Sequence, residues 1–276
     1  MNSSGENSIQ KRAFYAVSHL LANRLAQDLL KKALRYGEYL HGIGSGAHTE
    51  ISGERKLIEL VLRTSGEAPV IFDVGANIGE FSQLVVDEAG RKFAEIHSFE
   101  PTQKTFAVLV ANVGKASCFH PNRLALGETE GEVTIYYDDF GSGLASRTKR
   151  DLAHCNVSMN MEEKVAITTI DLYCQNAGVS VIDLLKIDVE GHEIGVLKGA
   201  SAMMASGGIR NIMWEFGGAN LDTVTRFKDF WKILKANGFK NVYRLIPPGY
   251  LYKIETYEES LEKYTTTNYV ASLNGL

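Results

Sequence analysis

The residues of this chain that could bind a ligand begin in residues 70–79, which read Val-Ile-Phe-Asp-Val-Gly-Ala-Asn-Ile-Gly. The apolar start is typical of a buried parallel strand, and we expect that strand to end at Asp73 and Val74. Gly75 then turns the chain towards a helix, and Gly75 and Gly79 can adopt positive φ or leave the backbone open to a ligand. Because ligands of open α/β sheets collect at the carboxyl ends of strands, this loop predicts a binding site.

An acidic residue at the end of the next strand indicates what kind of ligand binds there. Glu100 follows the strand-like residues 94–99 and precedes Pro101. It lies about 25 residues after Gly75, near the ~20-residue spacing at which an acidic side chain holds ribose hydroxyls. A charged acceptor contributes roughly 1.5–3 kcal/mol to such a contact. We therefore predict a cofactor that contains adenosine.

The glycine loop separates two classes of adenosine cofactor. A dinucleotide needs Gly-x-Gly-x-x-Gly for its pyrophosphate, but the second and third glycine positions counted from Gly75 hold Asn77 and Glu80. Asn77 would crowd the phosphates and Glu80 would repel them, whereas the sulfonium of S-adenosylmethionine is compatible with Asp73 and Glu80. We predict S-adenosylmethionine. Two alternative functions are an NAD-type oxidoreductase and a non-catalytic binding module. Alternatively, Asp73 and Glu100 only cap strands and helices and bind no ligand.

A second group of polar residues follows the apolar residues 184–187. Asp188, Glu190 and His192 come directly after this stretch, where a strand needs none of them for folding, so we predict a functional role. Asp188 and Glu190, with Glu215 after the next strand, could instead hold Mg²⁺, which prefers carboxylates and water. We favour a site without a metal.

Alternating strands and helices must position these residues. Strand-like and helical stretches alternate from residue 70 onward, which predicts an α/β fold with a parallel sheet covered on both faces. Ahead of it, residues 9–40 have apolar residues at helical spacing. We divide the chain into an N-terminal helical extension, residues 1–50, and a main domain, residues 51–276. The extension is expected to pack on the main domain or on a second copy, giving a homo-oligomer.

Several further elements are predicted within the main domain. A helix after Pro101 is expected to be capped by Thr102, and Asp171 to cap another. Residues 221–237 predict one amphipathic helix, and residues 239–246 a strand that the prolines at 247 and 248 end. Residues 138–161 form an irregular loop whose glycines and serines, Ser142 among them, could approach the cofactor. The basic residues of that loop could meet an acidic acceptor or remain solvated.

The composition limits the partners. The net charge is −4, which argues against a nucleic-acid partner, since such surfaces are usually basic. No apolar run approaches the ~18 residues that a membrane span requires. The three cysteines have no metal or redox spacing, which favours small buried thiols and a cytoplasmic location.

Four stretches of the sequence resemble the FkbM family of S-adenosylmethionine-dependent methyltransferases. They are Phe-Asp-Val-Gly-Ala-Asn-Ile-Gly (72–79), Ser-Phe-Glu-Pro (98–101), Asn-Arg-Leu-Ala-Leu-Gly with Glu-Gly-Glu-Val (122–127 and 130–133), and Leu-Lys-Ile-Asp-Val-Glu-Gly-His-Glu with Leu-Lys-Gly-Ala (185–193 and 197–200). The resemblance implies a class I methyltransferase, Rossmann-like sheet of about seven mostly parallel strands, the last antiparallel, flanked by helices. It also implies O-methylation of a hydroxyl on a small-molecule or glycan acceptor, which it does not identify.

We assign roles on this basis. The predicted cofactor-binding residues are Asp73, Gly75, Ala76, Asn77, Gly79, Glu100, Pro101, Asn122, Ala125, Ser142 and Asp188. Among them the glycine loop should contact the methionine part, Glu100 the ribose, and Asn122 with Ala125 the adenine. The predicted catalytic residues are His192, Asp188 and Glu190. We favour His192 as the base, because a helix amino terminus disfavours imidazolium, and Asp188 is the second candidate.

Overall fold

The computed structural model describes residues 3–46, 52–89 and 94–276. These form two units, Met1–His41 and Gly42–Leu276. The first unit consists of helices α1 (Ser3–Leu21) and α2 (Arg24–Leu40), and Asn23 caps α2 by accepting a hydrogen bond from the Ala26 amide. The predicted boundary after residue 50 lies outside the described residues. Within the described part of the chain, no helix is both long and apolar enough to cross a membrane.

The second unit alternates strands and helices. Its strands are β1 (Val70–Val74), β2 (Glu95–Phe99), β3 (Phe119–Asn122), β4 (Ala125–Leu126), β5 (Gly131–Tyr137), β6 (Met161–Thr168), β7 (Leu184–Ile187), β8 (Asn211–Phe216), β9 (Asn241–Ile246), β10 (Tyr250–Ile254) and β11 (Thr267–Ser272). Its α-helices are α3 (Glu54–Thr64), α4 (Glu80–Ala89), α5 (Gln103–Val113), α6 (Ile170–Ala177), α7 (Glu193–Lys198), α8 (Ser201–Ala205), α9 (Gly218–Asp222) and α10 (Phe227–Ala236).

Eight of these strands form one sheet in the order β10-β9-β11-β8-β7-β1-β2-β3. Neighbours from β8 to β3 pair in parallel, and β11 pairs antiparallel with both β8 and β9. This topology confirms the predicted α/β fold, a mostly parallel sheet with an antiparallel late strand. All the parallel strands point their carboxyl ends at one edge, so the residues that follow β1, β2, β7 and β8 meet there.

The core lies on both faces of this sheet. Successive residues of a strand point to opposite faces, so Ile71 packs in one apolar cluster and Phe72 in the other. Helices α3, α4 and α5 contribute Leu57, Phe81 and Leu109 to the cluster that holds Ile71. A smaller sheet, β4-β6-β5, packs its own apolar cluster.

The structure differs from the predicted elements in four places. The prolines at 247 and 248 follow the end of β9, as predicted, but the chain then returns as β10, antiparallel to β9, which gives the sheet eight strands where about seven were predicted. The helix predicted over residues 221–237 is broken into α9 and α10, with Val224 between them at a φ of 56°. Thr169, not Asp171, caps α6 by accepting from the Leu172 amide. Thr102 precedes α5, but its hydroxyl makes no cap hydrogen bond with that helix.

Candidate active site

Two adjoining cavities open at the carboxyl ends of β1, β2 and β7. The first has an empty volume of about 770 Å³ including its mouth, and its walls are largely apolar, with Phe99, Leu124 and Ile135 among them. The second, about 1280 Å³, is bordered by α3 and the end of β8 and is lined by charged side chains. The residues common to both walls are Gly75, Asn77, Ser142, Gly143, Asp188 and Glu190.

Gly75 allows the tips of β1 and β7 to approach closely. Its φ is 84°, and a Cβ built on it would lie 1.8 Å from the carbonyl oxygen of Asp188. The Asp188 amide in turn donates to the carbonyl of Val74 at 2.9 Å. Gly79 has a φ of 93°, and a Cβ there would come within 2.7 Å of Leu109. The loop therefore needs glycine for backbone conformation and for packing, in addition to any ligand contact.

Asn77 lines both cavities and carries an unsatisfied acceptor. It holds a left-handed backbone with a φ of 46°, and its side-chain amide donates to the carbonyl of Gly141 at 3.2 Å. Its Oδ1 is buried and has no hydrogen-bond partner among the described residues. A buried unsatisfied oxygen costs free energy unless a donor reaches it. The position therefore fits a ligand that brings an N–H or O–H group.

Glu100 places a buried carboxyl group in the first cavity. One oxygen accepts hydrogen bonds from the backbone amide of Thr102 at 3.0 Å and from its hydroxyl at 2.6 Å. Burial raises the pKa of this carboxyl, and the Thr102 donors oppose that rise. The side chain is thus fixed at the end of β2, where the sequence predicted an acceptor for ribose hydroxyls.

Asp73 does not reach either cavity. It is fully buried, and its two oxygens accept hydrogen bonds from Ser82 at 2.7 Å and from the Lys186 ammonium at 3.3 Å. Lys186 also contacts Asp188 at 3.3 Å. Burial alone would lower the pKa of Lys186, but the carboxylates of Asp73 and Asp188 outweigh it and raise that pKa. The structure therefore places Asp73 behind the loop, paired with a cation, and gives it no direct contact with a ligand.

Asp188 and Glu190 occupy the junction of the cavities. Glu190 has a φ of 50°, and its carboxylate accepts from Arg150 at 2.7 Å. Arg150 binds Asp222 at 2.7 Å on its other side. Burial and the neighbouring Asp188 raise the pKa of Glu190 to about 8, against the opposing effect of Arg150. Asp188 is more accessible, with 35% of its side chain exposed.

Glu215 brings a third carboxyl group to this junction. Single oxygens of Asp188, Glu190 and Glu215 lie within 4.8 Å of one another, which is the spacing of a metal-binding set. Burial raises the pKa of Glu215 well above its ordinary value, and the neighbouring carboxylates raise it further. One feature disfavours a cation here, because Arg150 already contacts the carboxylate of Glu190.

His192 lies in the wall of the first cavity only. It precedes α7, and its Nε2 is 3.0 Å from the hydroxyl of Thr148. Burial and the nearby Arg147 lower the pKa of His192 to about 4. The imidazole is therefore neutral at pH 7, as the sequence predicted, but the main cause is burial.

The remaining predicted residues divide between the cavities and their surroundings. Pro101, Ala125 and Ser142 line the first cavity, and Ala76 lines the second. Asn122 lies outside both. Its side-chain amide donates to the carbonyl of His120 at 2.8 Å, and its Oδ1 accepts from the hydroxyl of Tyr173 at 3.2 Å. The structure therefore does not place Asn122 beside the predicted adenine.

Two residues of the site were not predicted from the sequence. Lys186 lies within an otherwise apolar strand. A lysine in such a strand, two residues before Asp188, could have indicated a buried ion pair. Glu54 starts α3 and lines the second cavity. One of its oxygens accepts from Asn268 at 3.2 Å, and the other is buried without a partner among the described residues. Burial raises the pKa of Glu54 to about 8. Its position depends on β11, which no local pattern reveals.

Known proteins resemble this chain in sequence and fold. The methyltransferase FkbM domain family matches residues 73–240. Hexuronic acid methyltransferase AglP of Haloferax volcanii is 28% identical over 160 residues, which cover 57% of this chain and 60% of that protein. The 2-O-methyltransferase NoeI of Sinorhizobium fredii is 24% identical over 180 residues, covering 62% and 72%.

A solved structure, the methyltransferase FkbM from Methylobacillus flagellatus, aligns with a TM-score of 0.45 at 16% identity, covering 74% of this chain and 44% of that one. The chain thus spans less than two thirds of AglP and less than half of that crystallised chain.

Proposed function

The chain belongs to the methyltransferase FkbM family, and from this premise we propose that it transfers the methyl group of S-adenosylmethionine to a hydroxyl of a sugar or glycan. The observation that carries the proposal is the placement of a buried carboxyl group, Glu100, and an unsatisfied acceptor, Asn77 Oδ1, around the glycine loop. Ribose hydroxyls and the amino group of a methionine are donors that suit these two acceptors.

The two cavities suggest where each part of the cofactor and the acceptor bind. The apolar first cavity, with Glu100 at its side, suits the adenosine, and we assign Leu124, Ala125 and Ile135 to the adenine in place of Asn122. The methionine part then follows Gly75 and Asn77 to the junction of the cavities. The charged second cavity is left for the acceptor, with the sulfonium near the carboxylate of Asp188.

Methyl transfer is a displacement in line at carbon. The acceptor oxygen forms a bond to the methyl carbon while the carbon–sulphur bond breaks, S-adenosylhomocysteine leaves, and the hydroxyl proton passes to a base. The protein has to hold the oxygen about 3 Å from the methyl group and accept the proton. We propose Asp188 as that base, because it lines both cavities and is the more accessible carboxylate at their junction.

Glu190 and His192 then act differently. Glu190 is bound by Arg150, so we assign it to the positioning of Asp188 and of the loop from residue 146, whose Ser146 hydroxyl donates to the Glu190 carbonyl at 2.7 Å. His192 is turned towards Thr148 in the first cavity, where it contacts cofactor and not acceptor. We propose catalysis without Mg²⁺, and activity that a chelator abolishes would contradict this.

A sugar acceptor is supported by the two relatives whose names specify hexuronic acid or 2-O methylation. The acceptor would enter the second cavity, where polar groups from Glu54 and Thr266 can meet its hydroxyls.

A transfer assay tests the proposal. Purified protein is incubated with tritiated-methyl S-adenosylmethionine and pools of uronic acids, oligosaccharides and small natural products, and label is followed into product. We expect label in a carbohydrate fraction and about 10²–10⁴-fold less with Asp188→Asn. The exposed Glu130→Gln variant is the matched control. Cofactor binding without transfer to any pool would favour the non-catalytic binding module, whereas transfer unaffected by Asp188→Asn would refute the assignment of the base.

Three expectations from the sequence remain proposals. We propose that the exposed apolar residues of α2, such as Leu25 and Leu29, mediate a homo-oligomer. Light scattering of the full chain and of a Leu25→Gln/Leu29→Gln variant tests this, and equal masses would reject it. The free cysteines Cys118, Cys155 and Cys174 support a cytoplasmic location. The division into an N-terminal extension and a methyltransferase domain is the third.

A further inference from the structure

Three side chains with metal-binding atoms meet on one face of the sheet at β2 and β3. His97 in β2 is the register partner of His120 in β3, so their side chains stand side by side. Glu95 precedes His97 by two residues in the same strand and points to the same face. None of the three belongs to the cavities described above. The sheet itself therefore brings together two imidazoles and a carboxylate.

His97 is held in the form that binds metals. The Asn122 amide group donates to the carbonyls of Ser98 and His120, which fixes its Oδ1 as the acceptor for the Tyr173 hydroxyl at 3.2 Å. Since that hydroxyl donates to Asn122, its oxygen must accept from His97 Nδ1, 2.8 Å away. The proton of the neutral ring then sits on Nδ1, and Nε2 carries a lone pair.

That lone pair is buried and has no hydrogen-bond partner among the described residues. His97 is 6% exposed, and its Nε2 lies 3.8 Å from Glu95 Oε2. A buried acceptor left in this state costs stability unless a ligand reaches it.

We propose that Glu95, His97 and His120 bind a zinc ion. One ligand atom from each lies within 4.8 Å of the others. Tetrahedral zinc with bonds of about 2.0–2.1 Å needs separations of about 3.3 Å, so the ligand atoms must close by up to about 1.5 Å. Glu95 and His120 are exposed and sit at the sheet surface, where their side chains can make this movement towards the fixed His97.

The ligand set selects zinc over the hard cations. Imidazole nitrogens suit zinc, whereas Mg²⁺ requires oxygen ligands, such as those of Asp188, Glu190 and Glu215. The three residues line a solvent-accessible depression of about 1450 Å³, which leaves room for a fourth ligand from solvent. Tyr173 and Asn122 supply the outer hydrogen bonds that orient a ligating histidine.

The test is a zinc titration of the full-length chain without a histidine tag, in competition with a chromogenic zinc indicator at neutral pH. We expect one zinc per chain. Tyr173→Phe keeps the ring and removes only the hydroxyl that orients His97, and we expect it to weaken zinc binding by about 10–100-fold. His120→Ala removes a ligand and should weaken it at least as much. His154→Ala removes an exposed imidazole elsewhere and should leave the affinity unchanged.

A cobalt spectrum separates this site from binding by thiols or by carboxylates. Cobalt in place of zinc should give the intense visible bands of a four-coordinate ion without a cobalt–thiolate charge-transfer band. Zinc should also raise the melting temperature of the wild type and not that of His120→Ala. The proposal is overturned if the wild type binds no zinc, if His120→Ala and Tyr173→Phe bind it as tightly as the wild type, or if the cobalt spectrum shows thiolate ligation.

Discussion

Replacement of Gly75 by alanine tests whether the contact between the tips of β1 and β7 builds the site. The new Cβ would lie 1.8 Å from the carbonyl oxygen of Asp188, where ordinary contacts begin near 3.4 Å. That oxygen belongs to the backbone, so relief requires movement of the whole strand tip. Such movement also strains the hydrogen bond from the Asp188 amide to Val74.

The expected loss has two parts. Overpacking costs about 1–3 kcal/mol, and a left-handed backbone costs a residue with a side chain about 1–2 kcal/mol. Gly75→Ala should therefore lose about 2–5 kcal/mol of unfolding free energy. Gly178 provides the matched control, because its φ of 70° and ψ of 21° are left-handed and a Cβ there meets nothing within 4 Å. Gly178→Ala should lose only the backbone part, about 1–2 kcal/mol.

Urea unfolding of both variants measures the difference directly. The entropy that alanine removes from the unfolded chain is common to both variants and cancels in the comparison. We expect Gly75→Ala to be less stable than Gly178→Ala by about 1–3 kcal/mol, with similar m-values. Gly75→Ala should also bind S-adenosylmethionine more weakly, because the loop through Gly75 and Asn77, which we assign to the methionine part, is displaced together with the strand tip. Equal losses in the two variants would refute the close approach of the strand tips.

The further predictions concern the carboxyl groups of Glu54 and Asp188 and the imidazole of His192. Burial raises the pKa of Glu54 from 4.5 to about 8, so between these values the folded chain holds a proton that the unfolded chain has released. Stability from this group is therefore present below pH 4.5 and is lost as pH rises to about 8, by at most about 5 kcal/mol. Glu54→Gln keeps an oxygen for Asn268 and should become progressively more stable than the wild type as pH rises. Thermal melts from about pH 5 to 8 measure this difference. A difference in stability that does not change with pH would contradict the raised pKa of Glu54. For the chemical step, Asp188→Asn should lower kcat by about 10²–10⁴-fold while cofactor affinity stays within a few-fold, and His192→Gln should change cofactor affinity more than kcat. Steady-state kinetics with the acceptor found above would show the reverse pattern if His192 were the base.

The position of Glu100 could be predicted from the sequence because it follows from local patterns. An apolar run predicts a strand, and a polar residue directly after the strand lies at the sheet edge where ligands bind. The same reasoning located Asp188 and Glu190. These residues lie close together because parallel strands place all their carboxyl ends on one side.

The roles of Asp73 and Asn122 could not be predicted because they depend on distant side chains. Asp73 is paired with Lys186, 113 residues away in the chain, and Asn122 is turned towards Tyr173, 51 residues away. Neither contact leaves a local pattern. The charge of Asp73 is compensated by Lys186, so Asp73 does not favour a sulfonium cofactor in the way that the sequence suggested.

The break between α9 and α10 was missed for a related reason. Residues 221–237 keep helical apolar spacing throughout, but Val224 adopts a φ of 56° and the Thr225 amide donates to the carbonyl of Asn220. Asn220 itself donates to the buried Glu193 at 2.8 Å. Contacts between elements therefore override the periodicity here, and they also fix α9, whose last residue, Asp222, accepts from Arg150.

Calorimetry of the full chain with S-adenosylmethionine, S-adenosylhomocysteine and NAD tests most directly whether the site binds the methyl donor and its product and excludes a dinucleotide. We predict that the first two bind one per chain and that NAD does not bind. Glu100→Gln, which keeps an acceptor for Thr102 but loses the charge, should weaken S-adenosylmethionine binding by about 10–150-fold, with Glu130→Gln unchanged. Binding of NAD across Asn77, or an affinity for S-adenosylmethionine that Glu100→Gln leaves unaltered, would contradict the proposed cofactor site.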